Sequence, residues 1–197
     1  MALRMAMVGG GPGSFIGPVH RMAAELDGRI RLVAGVFSRD PVKNAQAAAE
    51  WGVAPDRVYP DHHTMFAAER ARPDGAQLVS VVTPNHLHFE VSAAALEAGL
   101  NVISDKPATL NLAEAQALAE VVAASGKQYG LTYTYTGYPM VREAREIVAR
   151  GDLGVVRKVV VEYSQGWLST PLERDTGNKQ ASWRADPKQS GVGGCIG

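Results

Sequence analysis

Short apolar runs alternate along the chain with segments whose apolar residues recur every three or four positions. The runs at 3–8, 30–37, 78–82, 102–104 and 129–133 have the length and nearly unbroken apolar character of strands buried on both faces. Between them, the spacing of Val19, Met22, Ala23 and Leu26, or of Leu112, Ala115, Leu118, Ala119 and Val122, predicts helices. The punctuation agrees: Asn111 followed by Glu114 has the signature of a capping box, and Gly99 and Gly126 stand where helices end. Strands alternating with helices predict βαβ units. The expected architecture is therefore α/β, a Rossmann-type doubly wound parallel sheet with its ligand crevice at the carboxyl ends of the strands.

Near Tyr138 the pattern changes. A helix through Val141, Ala144, Arg145 and Val148 leads to a turn between Gly151 and Gly154, and then to a segment at 155–163 with the two-residue period of a strand. This divides the chain into a first domain, 1–137, and the beginning of a second, 138–197. Residues 164–197 predict no element, and the chain contains no internal repeat.

Composition narrows the partners. Hydrophobic residues make up 46% of the 197 positions and charged residues 20%, as in ordinary soluble α/β proteins. Lys plus Arg and Asp plus Glu both number 20, without a block of like charge, so neither nucleic acid nor an anionic membrane surface is expected and a small molecule is. The one cysteine, Cys195, has no partner for an intrachain disulfide and no accompanying zinc-ligand cluster, so no metal site is expected. The apolar start of the chain ends at Gly9 without a long hydrophobic region, and no window reaches the roughly 20 residues of a spanning helix. A cytoplasmic protein is expected.

The first strand runs into Gly9-Gly10-Gly11-Pro12-Gly13-Ser14-Phe15-Ile16-Gly17, followed by a helix with Pro18 placed at its first position. Glycines let a backbone turn sharply and approach a pyrophosphate, whose charge is met by the N–H groups and dipole of the helix N-terminus. Gly9, Gly11, Gly13, Phe15, Ile16 and Gly17 are thus candidate dinucleotide contacts. Gly17 takes the position that lets helix pack on strand, in a loop about three residues longer than the usual fingerprint. The second strand ends about 20 residues later, as the fingerprint requires, in Phe37-Ser38-Arg39-Asp40. Ser38 and Arg39 stand where an NAD site usually offers an acid to the ribose. A guanidinium suits a 2′-phosphate, so NADP is favoured over NAD, unless Asp40 only caps the next helix and Arg39 is solvated.

Two further segments, Thr83-Pro84-Asn85-His86-Leu87-His88 and Asp105-Lys106-Pro107, each follow a strand. With the glycine loop they resemble the glucose-fructose oxidoreductase and inositol dehydrogenase family, Gfo/Idh/MocA, over nearly the whole chain. The resemblance implies an NAD(P)-dependent dehydrogenase that moves hydride between nicotinamide and a hydroxyl or keto carbon of a sugar or polyol. It places Thr83, Pro84, Asn85, His88 and Asp105 around the nicotinamide ribose. Lys106 reaches both nicotinamide and substrate hydroxyl as the catalytic residue, and Trp183 and Arg184 pack near the cofactor. Tyr135 and Tyr138 become candidate substrate contacts. Asp105 departs from the family's usual Glu, and Lys106–Pro107 is a candidate cis bond.

By the same resemblance, 138–197 begins an α+β domain with a mostly antiparallel sheet that relatives also use to form homo-oligomers. The chain reads as stopping before the family's Asp-x-Gly-x-His segment, so a fragment that binds cofactor with little turnover is expected. The rival readings are a non-catalytic nucleotide-binding or sensing module and a methyltransferase. The latter would carry an acid at the end of the second strand and no Lys-Pro pair.

Overall fold

The computed structural model describes residues 2–164, 166, 169–174, 181 and 184–191. Five strands, β1 (Leu3–Gly9), β2 (Ile30–Val36), β3 (Leu78–Val82), β4 (Asn101–Ser104) and β5 (Tyr129–Leu131), form one sheet in the order β2-β1-β3-β4-β5. Every pairing is parallel. The helices between them are α1 (Ile16–Glu25), α2 (Pro41–Trp51), α3 (His62–Ala71), α4 (His88–Glu97) and α5 (Leu112–Ser125), with α6 (Pro139–Arg150) beyond the sheet. The predicted doubly wound architecture is present, with the reversal of strand order between β1 and β3.

Alternation along the strands divides the core in two. Ala6, Val8, Val79, Val81 and Val102 face Met65 and Phe66 of α3, Val91, Ala95 and Leu96 of α4, and Leu118 of α5. Met5, Met7, Leu32 and Leu78 face the other way, against Ile16 and Ala24 of α1 and Ala47 and Ala48 of α2. A strand covered on both sides has no polar face to show, which is why β1 and β3 read as continuous apolar runs.

The local signals behave as their chemistry requires. Asn111 accepts the Glu114 N–H at 3.0 Å, and the Glu114 carboxylate reaches back to accept from the Leu110 N–H at 3.0 Å and the Asn111 amide at 3.0 Å. Gly126 ends α5 in the left-handed conformation. Among the described residues, no helix is long and apolar enough to cross a membrane.

Three expectations change. Pro18 is the third residue of α1, not the first, a position where its missing N–H still costs no helical bond. The predicted apolar stripe of α1 points outward, with Val19 44%, Met22 69% and Leu26 83% exposed, because the close approach of Gly17 to the glycine loop sets the helix rotation and turns His20 and Ala24 inward. Residues 155–163 form no ladder, since a strand needs a hydrogen-bonded neighbour and the described residues supply none. Val155, Val159, Val160 and Val161 are exposed.

Candidate functional site

The glycine loop leaves β1 at the point where the sheet divides. A Cβ on Gly17 would collide with the Gly10 backbone, and one on Gly9 would stand 2.7 Å from the Val82 oxygen, so loop, helix and β3 meet with no room for side chains. The Gly11 N–H donates to Phe37 O at 3.0 Å, which ties the loop to the end of β2. Ser14 Oγ accepts from the Gly17 N–H at 3.3 Å, while Phe15, at the N-cap of α1, offers no side-chain acceptor. Gly13, with φ of 81° and open space around it, and the exposed Phe15 line the outer side of the loop. A helix start whose N-cap residue offers no side-chain acceptor, leaving first-turn N–H groups other than that of Gly17 open, under a loop pared down to backbone, fits a dinucleotide pyrophosphate.

At the end of β2, Asp40 accepts from the Val42 and Lys43 N–H groups at 2.9 and 3.3 Å and so caps α2. Ser38 Oγ accepts from the Asp40 N–H at 3.1 Å, and Arg39 is exposed beside it. The acid in this segment is thus committed to the helix, while the guanidinium is at the surface.

Beyond β3, Thr83 Oγ1 is shielded from solvent without a hydrogen-bond partner among the described residues. Pro84 is exposed, and the buried Asn85 amide donates to Ser190 O at 3.0 Å. The segment around the short helix Pro187–Ser190 therefore packs back against this loop. His88 is completely buried, with Nδ1 2.6 Å from Pro107 O and Nε2 2.8 Å from Thr83 O. Fully buried, it straps the loop after β3 to the loop after β4.

That second loop carries Asp105, Lys106 and a cis Lys106–Pro107 bond. Asp105 Oδ1 accepts from Thr132 Oγ1 at 3.1 Å and stands 3.7 Å from His20 Nε2, while His20 Nδ1 is 2.9 Å from Ser80 Oγ. Burial alone would raise the Asp105 carboxyl. Its contacts with His20, the Lys106 N–H and Thr132 outweigh that and hold it below the usual carboxylate range. The short acid points inward, joining His20 of α1 to Thr132, the residue after β5. His20, Ser80 and Thr132 went unnoticed in the sequence, although a histidine three residues after Gly17 shares its helix face.

Lys106 is half-buried. Burial first, then the positive charge of Arg184, push its ammonium below the ordinary lysine range against the opposing pull of Asp105 and Tyr135. Arg184, Lys106, Asp105 and Tyr135 thus share one electrostatic neighbourhood. Tyr135 and Tyr138 lie exposed just after β5, their rings 5.7 Å apart and edge to face, and Tyr135 Oη is 2.8 Å from Tyr163 Oη. Trp183 lies outside the described residues. Replacing Asp105 by Asn should lower the Lys106 titration midpoint further, because an attracting charge is lost. Replacing Arg184 by Gln should raise it, because a repelling charge is lost. NMR titration of the reductively dimethylated lysine, assigned by its disappearance in Lys106→Arg, reads both, and unmoved midpoints would show that these charges do not reach Nζ.

Residues 3–133 match the family model described as an oxidoreductase family with an NAD-binding Rossmann fold. The chain is 38% identical over 199 residues to the uncharacterized oxidoreductase YfiI of Bacillus subtilis, covering 99% of this chain and 50% of that protein. It superposes on the crystal structure of an inositol dehydrogenase homolog from Azotobacter vinelandii with NAD+, with a TM-score of 0.91, 44% identity, and coverage of 97% of this chain and 49% of that one. The same homolog solved with NADH and myo-inositol gives 0.87 and 43%, over 95% and 48% of the two chains. The chain spans about half the length of the relatives it matches. A parallel sheet with a backbone-only loop at its switch point, a Thr-Pro-Asn turn and a Lys-Pro corner, in a chain matched by these comparisons over well above half of its length, identify it as a member of the Gfo/Idh/MocA oxidoreductase family.

Proposed function

We propose that this chain forms the cofactor-binding side of an NAD(P)-dependent dehydrogenase acting on a hydroxyl or keto carbon of a sugar, polyol or related small molecule. The observation that carries the reading is the Lys106 corner. A half-buried lysine whose proton is loosened by burial and by Arg184 stands beside the loop that offers the unpartnered Thr83 hydroxyl. NAD(P), when bound, supplies the hydride acceptor or donor. Gly9, Gly11, Gly13, Phe15, Ile16 and Gly17 hold its pyrophosphate, and Thr83, Pro84 and Asn85 line the ribose side. Lys106 orients the substrate hydroxyl and eases removal of its proton, and Tyr135 and Tyr138 border the substrate.

Asp105 and His88 hold the two loops in register from beneath, so they are positioning residues. The myo-inositol bound by the Azotobacter vinelandii homolog supports a polyhydroxylated substrate class. The same reading divides the chain at 138 and assigns the second part to substrate and subunit contacts. A non-catalytic sensing module shares the crevice but gives no role to the lowered Lys106 ammonium.

NADP is the cofactor we assign, because Arg39 is exposed at the end of β2 while Asp40 is spent on the cap of α2. Arg39→Ala should weaken NADP binding roughly tenfold to a hundredfold, the value of one hydrogen bond to a charged group, and leave NAD binding nearly unchanged. Titration of reduced-cofactor fluorescence with the 197-residue chain reads both. Tighter binding of NAD, with Arg39→Ala silent, would reverse the assignment, and failure to bind either would overturn the function.

A further inference from the structure

A cluster of metal-competent side chains lies between α3 and α4, outside the loops described above. His62 and His63 open α3, and Glu90 sits in the first turn of α4. One ligand atom from each lies within 4.8 Å of the others, and His62 Nε2 stands 3.7 Å from Glu90 Oε1. We propose that His62, His63 and Glu90 form a binding site for a divalent transition-metal ion, Zn2+ foremost, with two imidazole nitrogens and one carboxylate oxygen as protein ligands and water completing the shell.

An independent observation points the same way. His62 Nε2 is shielded from solvent and has no hydrogen-bond partner, an unusual condition for a buried ring nitrogen. The His62 ring is held in place by Phe66, edge to face at 5.7 Å, and by His63, whose ring centre lies 4.1 Å away. Asp61 is not a ligand. Its two oxygens accept from the Thr64 N–H and Oγ1, both at 2.8 Å, and its charge and that of Glu90 offset the positive end of the α3 dipole.

The spacing suits a small ion. Bonds of about 2.0–2.2 Å place tetrahedral ligand atoms roughly 3.3–3.5 Å apart, so the His62–Glu90 pair must close by only a few tenths of an ångström. The remaining adjustment falls on His63 and Glu90, which are exposed. Two imidazoles select Zn2+, Cu2+ or Ni2+ over the hard ions Ca2+ and Mg2+. Bound metal would clamp α3 to the first turn of α4, the turn that begins with His88.

Calorimetric titration of the chelator-treated 197-residue chain with Zn2+, alongside its thermal midpoint, tests the site. One ion per chain and a raised midpoint are expected. Glu90→Gln and His63→Ala, both surface changes, should each weaken binding at least about tenfold without lowering the metal-free midpoint, and His62→Ala should abolish it. Absence of a Zn2+ response in the unaltered chain overturns the proposal. So does binding that survives Glu90→Gln/His63→Ala, which would assign the ion to other groups such as Cys195.

Discussion

Glu69→Ala should be the most destabilising single substitution in the sheet domain, at about 3–5 kcal/mol. The carboxylate is 1% exposed and accepts four hydrogen bonds: Arg57 Nε at 3.0 Å, Arg57 Nη2, Tyr59 Oη at 2.9 Å and the Ala76 N–H at 2.8 Å. Through these it joins the connection after α2, the end of α3 and the loop that enters β3. Removing it leaves a buried guanidinium with only the more exposed Asp74 for company, and strands a phenol and a backbone donor as well. Burial, then the hydrogen bond to this carboxylate, pushes the Tyr59 phenol up to about 12.

The midpoint of thermal unfolding should fall by roughly 10 °C for a domain of this size. Arg57→Met/Glu69→Leu should lose less than Glu69→Leu alone, because the double variant leaves no uncompensated charge. Equal losses in the two would mean that packing, not charge, accounts for the cost.

Gly17→Ala should have the largest effect on cofactor binding among the loop residues. The added methyl meets the Cα, carbonyl carbon and oxygen of Gly10, all backbone, so no side-chain rotation can relieve it and α1 must move off the loop. Overpacking of this kind costs about 1–3 kcal/mol of stability. The shift would also pull the N-terminal donors of α1 away from the pyrophosphate proposed to bind there, and losing one charge-assisted bond of about 1.5–3 kcal/mol would lower affinity roughly tenfold to a hundredfold. Gly13→Ala is the contrast: its methyl meets no atom within 4 Å, so only the φ of 81° opposes it. Fluorescence titration with NADPH should rank wild type above Gly13→Ala above Gly17→Ala. The reverse order would place the pyrophosphate away from the contact of Gly17 with Gly10.

What the sequence determined by itself is local in origin. Nearly unbroken apolar runs such as 78–82 mark strands covered on both faces, Asn111 and Glu114 mark a helix start, and the glycines from Gly9 to Gly17 mark a sharp turn. Each of these rests on residues within a few positions of one another. The Thr-Pro-Asn turn and the Lys106–Pro107 corner were legible because each lies directly after a strand. The tertiary structure decided whatever depends on which elements come face to face. Contact between Gly17 and Gly10 turned α1 so that Val19, Met22 and Leu26 point outward, against their apolar spacing. Asp105 was drawn inward by His20, on a helix some 85 residues earlier in the chain, and by Thr132 on the neighbouring β5 side. His88 became a strap because Thr83 O and Pro107 O happen to flank it. Arg57, Tyr59 and Glu69, or His62, His63 and Glu90, show no pattern along the chain, since ion-pair and ligand geometry are fixed by distances in space and only the packing of α3 supplies those distances.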